Sequence, residues 1–341
     1  MEEMIIEKNK INGFINQIIS DYIVFAPVKN KDMVLFKQIK KPDEMTLDYD
    51  NSRIPPKSIY LPQTETLFRF SKDQNINLET PKKDGRTLIF GIRPCDAKSL
   101  KILDQVFTGE YEDSLYLSRR KNSILIGLTC CNPSLNCFCT SVNGSPADTD
   151  GLDVLLTDIG DRYYVELITN KGKKIVKSFA GFKPANKEDK KKKEEIVKKA
   201  KDDIKRHIKS ENLVSILDSI FENKYWEEIS RKCLGCGICT FLCPTCHCFD
   251  MQDEIAGDKG ARIRVWDSCM YPEYTMQASG YNPRPNQMNR IRNRVYHKFN
   301  YLPKNNQVFG CVGCGRCITE CPVNIDIIEV VNQAREVKKD E

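Results

Sequence analysis

The sequence predicts a mixed α/β (α+β) N-terminal domain followed by a mostly helical domain with a long insertion. Strand-like apolar runs separated by turn signals extend to Thr169, and a Lys-rich stretch with helical periodicity follows them. Two cysteine runs of the same spacing then occur towards the C-terminus, far apart from each other. At 341 residues the chain is long enough for two domains.

The first domain begins with a helical pattern, KINGFINQIIS, and continues with strand-like runs of apolar and β-branched residues. These runs are DYIVFAP, MVLFKQI, TLIFGIR, SILIGLTC, LDVLLTDI and DRYYVELIT. Turn signals such as PKKDG and NKG separate some of them. Their irregular order does not indicate a doubly wound sheet.

The Lys-rich stretch KEDKKKKEEIVKKAKDDIKRHIKS predicts an amphipathic helix, because apolar residues recur every four positions. These residues are Ile196, Ala200, Ile204 and Ile208. The lysines alternate with acidic residues, which favours a solvated helix face over a nucleic-acid surface.

The helical pattern continues to Cys233, and we place a domain boundary near Lys224. The predicted division is 1–224 for the α/β domain, which ends in the Lys-rich helix, and 225–341 for the second domain. The insertion within the second domain is predicted at 249–305.

Composition narrows the class of protein. The net charge is only +6, the N-terminus lacks the pattern of a signal peptide, and no apolar run approaches the roughly 18 residues of a membrane span. We therefore expect a cytoplasmic protein that binds neither membrane nor nucleic acid. In a reducing compartment, the sixteen cysteines are more consistent with metal ligands than with disulfides.

Both cysteine runs have the spacing C-x2-C-x2-C-x3-C followed by proline, which is typical of ferredoxins with two [4Fe–4S] clusters. In those proteins the fourth cysteine of each run binds the other cluster. One predicted cluster therefore has the ligands Cys233, Cys236, Cys239 and Cys321, and the other has Cys311, Cys314, Cys317 and Cys243. Structural zinc is the alternative, but it needs only four ligands and leaves the duplicated third cysteine and C-P ending unexplained.

Five further cysteines belong to the N-terminal domain, and each follows a predicted strand. The predicted ligands of a third iron–sulfur cluster are Cys95, Cys130, Cys137 and Cys139, with Cys131 as the alternative to Cys130. The competing interpretation is that these thiols are small buried apolar groups.

Cys246, Cys248 and Cys269 carry a weaker signal, and we interpret them as packing residues beside a cluster. His247 is interpreted as a hydrogen-bond donor or packed side chain rather than a ligand. The insertion is also rich in cations, which either lie near the clusters and raise their potentials, dock a partner, or form a solvated structural strip. These cations are Arg284, Arg290, Arg292, Arg294 and Lys298.

The sequence lacks a glycine-rich dinucleotide fingerprint and a phosphate-binding loop, so we expect no flavin or nicotinamide site in this chain. Its histidines, at 207, 247 and 297, are widely spaced and suggest no histidine-based site. We expect an electron-transfer subunit of an oxidoreductase complex that is not catalytic by itself, with no catalytic residues of its own. The electron donor and acceptor should lie on partner subunits.

An ordered set of motifs resembles a known family. The motifs are RPCDAKSL, CNPSLNCFCTSVNGSP, GLDVLLTDIGDRYYVEL, CLGCGICTFLCPTCHCFD, WDSC, HKFNY and CVGCGRCITECPVNIDI. Together they resemble the iron–sulfur β subunit of cytoplasmic sulfhydrogenases and the related A subunit of anaerobic sulfite reductase. The resemblance runs from about Thr87 to Ile327, and the motifs around the N-terminal cysteines are closer to the sulfhydrogenase type.

This resemblance implies a subunit that relays single electrons between a flavin subunit acting on NAD(P)H and a catalytic redox subunit. The catalytic subunit would be a hydrogenase, a sulfite reductase or a heterodisulfide-reductase-like protein. One alternative is a self-contained iron–sulfur reductase with a substrate site at the N-terminal cluster. Another is a zinc-stabilised scaffold that binds nucleic acid through the basic strip.

Overall fold

The computed structural model describes residues 2–72, 76–81 and 85–337, and two β-sheets organise these residues. The strands are β1 (Glu2–Glu7), β2 (Ile23–Asn30), β3 (Met33–Gln38), β4 (Thr64–Lys72), β5 (Ile76–Glu79), β6 (Thr87–Ile92), β7 (Ser123–Leu128), β8 (Val154–Asp158), β9 (Arg162–Leu167), β10 (Lys183–Pro184), β11 (Phe249–Ala256) and β12 (Lys259–Trp266).

Helices surround the sheets and continue to the C-terminal part of the chain. They are α1 (Ile11–Ile19), α2 (Pro94–Phe107), α3 (Ser114–Lys121), α4 (Asn170–Lys177), α5 (Lys187–Asp202), α6 (Leu213–Ser219), α7 (Tyr225–Ser230), α8 (Ile238–Phe241), α9 (Gln287–Tyr296), α10 (Leu302–Asn306), α11 (Arg316–Thr319) and α12 (Ile327–Ala334). A π-helical turn at His297–Tyr301 joins α9 to α10.

The larger sheet has the order β10-β1-β9-β8-β7-β6-β2-β3, and its central strands β2, β6, β7 and β8 are parallel. Every residue of β6 and β7 is buried, as expected for parallel strands that are covered on both faces. One face packs against α1 through Phe14 and Ile15, and the other packs against α2 and α3 through Leu103 and Tyr116. The predicted mixed α/β character is confirmed.

The parallel strands end at one edge of this sheet, which we call the carboxyl edge. It is formed by the segments that follow β6, β7 and β8, beginning at Arg93, Thr129 and Ile159. Ligands of open α/β sheets characteristically bind in the crevice outside the carboxyl ends of the strands. Cys95 lies at this edge in the first turn of α2, and the other N-terminal cysteines lie in the segment that follows β7.

The smaller sheet has the order β11-β12-β4-β5. Its hairpin β11–β12 belongs to the predicted insertion, and β12 pairs antiparallel with β4 from the first part of the chain. Gly257 adopts φ +61° in the two-residue turn of the hairpin, a conformation that glycine adopts without strain. The prediction that the second domain is mostly helical is therefore not confirmed, and the division near Lys224 stays a prediction.

The Lys-rich stretch forms α5, which begins at a capping box between Asn186 and Asp189. The helix ends at Asp202, earlier than the apolar period predicts. Ile204 and Ile208 are nevertheless buried, because the irregular chain after the helix still packs them inward. Apolar residues spaced by four therefore do not distinguish a longer helix from a buried extended segment here.

A buried ion pair joins the C-terminal cysteine run to the larger sheet. Arg316, at the start of α11, donates to both carboxylate oxygens of Asp96 at 2.6 and 2.7 Å, and Asp96 lies in the first turn of α2. The same guanidinium donates to the carbonyl of Ser52 at 2.7 Å and to the side chain of Asn51. Asp96 and Arg316 are only 1% and 5% exposed, so neither charge has water as a substitute partner.

We predict that Arg316→Met destabilises the protein by about 3–5 kcal/mol, because it leaves the Asp96 carboxylate buried without a partner. Arg53→Met is the matched control, since Arg53 pairs with Glu320 at the surface and should lose at most about 1 kcal/mol. Thermal unfolding of both variants measures the difference. Equal losses of stability in the two variants would show that the Arg316–Asp96 pair does not hold the C-terminal cysteine run on the larger sheet.

Candidate iron–sulfur sites

The first cysteine set, Cys233, Cys236, Cys239 and Cys321, lines one cavity. Apolar side chains on α9 and α12 complete the wall, among them Ile291, Val295 and Val330. Cys317 of the C-terminal run also lines this cavity, so the structure brings the two runs together here, and Cys321 as the fourth ligand stays a prediction. Cys236 is exposed, whereas the other members of the set are partly buried.

The second cysteine set consists of Cys311, Cys314, Cys317 and Cys243. Burial, together with the nearby thiolates of Cys243 and Cys317 and against the effect of Lys298, raises the pKa of the Cys311 thiol to about 12. Cys314 likewise interacts with Cys243 and Cys317. Cys243, which follows α8, therefore lies among the cysteines of the other run.

The two loops that carry these sets have the same local design. Each has glycines at positive φ, Gly235 and Gly237 in the first and Gly313 and Gly315 in the second. In each loop a backbone amide points at the first cysteine sulfur: that of Gly235 lies 3.4 Å from Cys233 Sγ, and that of Gly313 lies 3.5 Å from Cys311 Sγ. Glycine is suited to these positions because it adopts positive φ without strain. A short helix begins immediately after each loop.

Three buried cations lie against the thiols. Lys57, Arg294 and Lys298 are 3%, 8% and 3% exposed, and no carboxylate of the described ranges lies within ion-pair distance of them. Lys57 donates to the carbonyl of Cys246 at 2.8 Å. A buried charge without a counter-charge is very costly, so the thiols must supply the negative charge.

The pKa shifts of Arg294 and Lys298 agree with this pairing, whereas burial outweighs the nearby thiolates at Lys57 and lowers the pKa of its ammonium. Burial opposes the charge on Lys298, but the surrounding cysteine thiolates, led by Cys243, together raise the pKa of its ammonium above the usual lysine value. Conversely, a hydrogen bond from Cys246 and the charges of Lys298 and Lys57 lower the pKa of Cys243 well below that of an ordinary thiol, against its burial. Among these thiols, Cys243 is therefore the one whose anion the neighbouring cations favour.

The cations of the insertion do not form a solvated strip. Arg290, Arg292, Arg294 and Lys298 are all buried. Arg292 pairs with Glu222, whereas Arg294 and Lys298 lie next to the cysteines. The interpretation that places cations near the sites is therefore correct for these two residues.

The N-terminal thiol group, Cys95, Cys130, Cys137 and Cys139, lies at the carboxyl edge of the larger sheet. Burial raises the pKa of Cys130 and of Cys139 to about 12, and both interact with Cys137. Cys95, in the first turn of α2, interacts with Cys137 and with Cys314. The structure thus brings these predicted residues into one neighbourhood.

Cys131 lies apart from this group. It lines a cleft of about 350 Å³ together with Lys8, Tyr49, Asp158 and other residues. Its thiol interacts mainly with Arg93, Asp158 and Lys8, and Cys130 is the member of the thiol group whose pKa it raises. The geometry therefore favours Cys130 over Cys131 as a member of the thiol group.

The N-terminal thiol group packs directly on the second cysteine set. The amide of Phe138 donates to the carbonyl of Gly313 at 2.9 Å, and Asn136 donates to the Thr319 hydroxyl at 3.0 Å. The sulfur of Cys137 lies 3.9 Å from the carbonyl oxygen of Cys314. The two groups of thiols are therefore neighbours along a continuous line of backbone contacts.

Cys246, Cys248 and Cys269 lie beside the two sets. Cys246 contacts Cys243, whereas Cys248 and Cys269 contact each other. His247 packs against Phe107 and His297, and its Nδ1 lies 3.2 Å from the carbonyl oxygen of Thr245. Burial lowers the pKa of His247 to about 4, so the ring is neutral near pH 7.

The comparisons with known proteins agree with the arrangement of the cysteines. Residues 232–325 match the family described as a 4Fe-4S dicluster domain, and this segment contains both cysteine runs. Sulfhydrogenase 2 subunit beta of Pyrococcus furiosus is 34% identical to this chain over 325 residues, which is 95% of each protein. The chain belongs to the sulfhydrogenase β-subunit family. The search of solved structures gave no match.

Membership of the sulfhydrogenase β-subunit family confirms the resemblance predicted from the sequence motifs. The dicluster domain supports two [4Fe–4S] clusters, and the third cluster and the ligand assignments stay predictions. Within the described ranges, no three His, Cys, Asp or Glu side chains converge on a single metal ion. No described helix is long and apolar enough to span a membrane.

Sequence reasoning missed several residues that contact the thiols. Gln287 donates to Cys233 Sγ at 3.0 Å, and Lys57, from a remote part of the chain, donates to the carbonyl of Cys246 beside the second set. Neither has a local sequence signal. Thr245, whose hydroxyl lies 3.1 Å from Cys243 Sγ, sits two residues after that cysteine, so its position was a usable signal.

We predict that Gly313→Ala destabilises the protein more than Gly257→Ala. Both glycines have similar positive φ values, +65° and +61°, so both variants lose about 1 kcal/mol from backbone strain. At Gly313 the new Cβ would also lie 2.5 Å from the Cα of Cys139, whereas at Gly257 it would meet no atom within 4 Å. Thermal unfolding compares the two variants. Equal destabilisation would contradict the close packing of the second set on the N-terminal thiol group.

Proposed function

We propose that this protein is an iron–sulfur electron-transfer subunit of a hydrogenase-type complex. It relays single electrons between a flavin subunit that exchanges electrons with NAD(P)H and a catalytic redox subunit. The first and second cysteine sets hold one [4Fe–4S] cluster each. Membership of the sulfhydrogenase β-subunit family supports the function, and the dicluster match supports the two clusters.

The observation that carries the proposal is the set of buried cations without carboxylate partners. Lys57, Arg294 and Lys298 face the cysteine sulfurs from a region that water does not reach. An anionic cluster with thiolate ligands supplies the counter-charge that the described residues lack. When bound, each cluster accepts and releases one electron.

The residues of the chain perform three tasks in this relay. The cysteines would hold the clusters, and the backbone amides of Gly235 and Gly313 point their N–H groups at the cysteine sulfurs. The apolar wall from α9 and α12 excludes water from the first site. Cys239 of the first set and Cys317 of the second line the same cavity, which supports a short electron path between the two sites.

We further propose that the N-terminal thiol group holds a third cluster. Arg93 is buried beside Cys130, and its guanidinium donates to the carbonyls of Asp50, Leu128 and Thr129 without a carboxylate partner among them. The same charge argument therefore applies at the carboxyl edge. A cluster there extends the relay from the second set into the larger sheet.

The alternative is a self-contained reductase with a substrate site near the N-terminal thiols. The open cleft beside Cys131 is the observation that favours it. The relay predicts that the isolated chain with a chemical reductant reduces only dyes. Reduction of many molecules of a small substrate by each isolated chain would support the self-contained reductase.

We predict that Cys236→Ala or Cys314→Ala abolishes electron flow through the complex, because each removes a ligand from one of the two clusters. The flavin partner's own diaphorase activity should remain. Electron transfer from NAD(P)H to the catalytic subunit is the measurement, with Cys131→Ala as a control that keeps full transfer. Full flow in either ligand variant would count against this route.

A second prediction concerns the third cluster. Cys137→Ala should lower the iron content by about four atoms per chain, because it removes a ligand of one [4Fe–4S] cluster. Cys131→Ala should leave the iron content unchanged, since its thiol faces the cleft. The measurement is the iron and acid-labile sulfide content per chain of both purified variants. Loss of iron in Cys131→Ala with none in Cys137→Ala would reverse the assignment.

A further inference from the structure

The two cysteine sets receive hydrogen bonds from chemically different side chains. At the first set, the neutral amide of Gln287 donates to Cys233 Sγ at 3.0 Å. Its orientation is fixed, because the guanidinium of Arg290 donates to Gln287 Oε1 at 2.9 Å. Cys236 of this set is exposed, so water also stabilises negative charge there.

At the second set, the buried ammonium of Lys298, rather than water, lies near the cysteine sulfurs and stabilises negative charge there. Lys298 is 3% exposed and donates to the Thr245 hydroxyl oxygen at 3.0 Å and to the Gly310 carbonyl at 2.9 Å. The Thr245 hydroxyl lies 3.1 Å from Cys243 Sγ and 2.7 Å from the same Gly310 carbonyl. Lysine, threonine and cysteine therefore form a continuous chain of contacts.

The proton of the Thr245 hydroxyl has two possible acceptors, Cys243 Sγ and the Gly310 carbonyl. A hydroxyl has one proton and two lone pairs, and Lys298 occupies one of the lone pairs. Lys298 also serves the Gly310 carbonyl, and an anionic sulfur is the stronger acceptor of the two. A hydroxyl that donates to Cys243 Sγ in this arrangement would carry the polarity of the ammonium to that sulfur.

We propose that Lys298, acting through Thr245, raises the midpoint potential of the cluster on the second cysteine set, and that Gln287 does the same for the first. Reduction adds one negative charge, which nearby positive charge and hydrogen-bond donors stabilise. Lys298 and Thr245 are positioning residues, because neither is a ligand. Arg294 does not separate the two sites, since its neighbours include both Cys239 and Cys317. This inference rests on the proposed function.

The test is a redox titration of the purified chain followed by electron paramagnetic resonance. The variants are Lys298→Met, Thr245→Val and Gln287→Leu, with Lys304→Met as the control. Lys304 is also a lysine of this segment, but it is half-exposed and pairs with Asp218. Its loss should move neither midpoint.

We expect Lys298→Met and Thr245→Val to shift the same midpoint to a more negative potential, and Gln287→Leu to shift the other one. The double variant of Lys298 and Thr245 should shift by less than the sum of the two single shifts, because the ammonium acts partly through the hydroxyl. Unchanged midpoints in all three variants would overturn the inference. A shift of the same midpoint by Lys298→Met and Gln287→Leu would also overturn it.

The threonine variant keeps the test decisive if Lys298→Met does not fold. Thr245→Val retains the buried ammonium and the side-chain shape, and removes only the hydroxyl. No shift in this variant would exclude the transmitting role of Thr245. Failure of the proposed function is distinguishable, because a wild-type chain without iron and sulfide overturns both proposals, whereas clusters with unmoved midpoints overturn this one alone.

Discussion

The structure depends on the pairing of buried positive charge with cysteine sulfur. Lys57 comes from the first part of the chain, and Arg294 and Lys298 come from α9 and the π-helical turn after it. The charges of all three nevertheless interact with Cys243 and Cys246. In a protein interior this arrangement is stable only with a compensating anion. The folded state described here is therefore the state that a thiolate-bound cluster requires.

Two sets of contacts between residues far apart in sequence bring the thiols together. Cys321 lines a cavity with cysteines of the first run, and Cys243 lies near Cys311, although the insertion separates the two runs. The hairpin of the insertion pairs with β4 of the first part of the chain. The Arg316–Asp96 ion pair and the contact of Gly313 with Phe138 then seat the second set on the carboxyl edge of the larger sheet. The same few contacts stabilise the protein and align its sites.

Sequence reasoning predicted what local patterns encode. The strands TLIFGIR and SILIGLTC are continuous apolar runs and form β6 and β7, and the repeated cysteine spacing identified the dicluster region. It did not predict the hairpin partner of β4 or the approach of Lys57, because these depend on contacts between residues far apart in sequence. The choice between Cys130 and Cys131 likewise needed the direction in which each side chain points after β7.

The most direct test of the central claim is the content of iron, acid-labile sulfide and zinc in the chain after anaerobic purification. Two [4Fe–4S] clusters predict about eight iron and eight sulfide per chain, rising to about twelve of each if the N-terminal thiol group also binds one. A colourless protein with about two zinc ions per chain and no sulfide would contradict the account, because the buried cations would then face structural zinc sites instead of electron carriers.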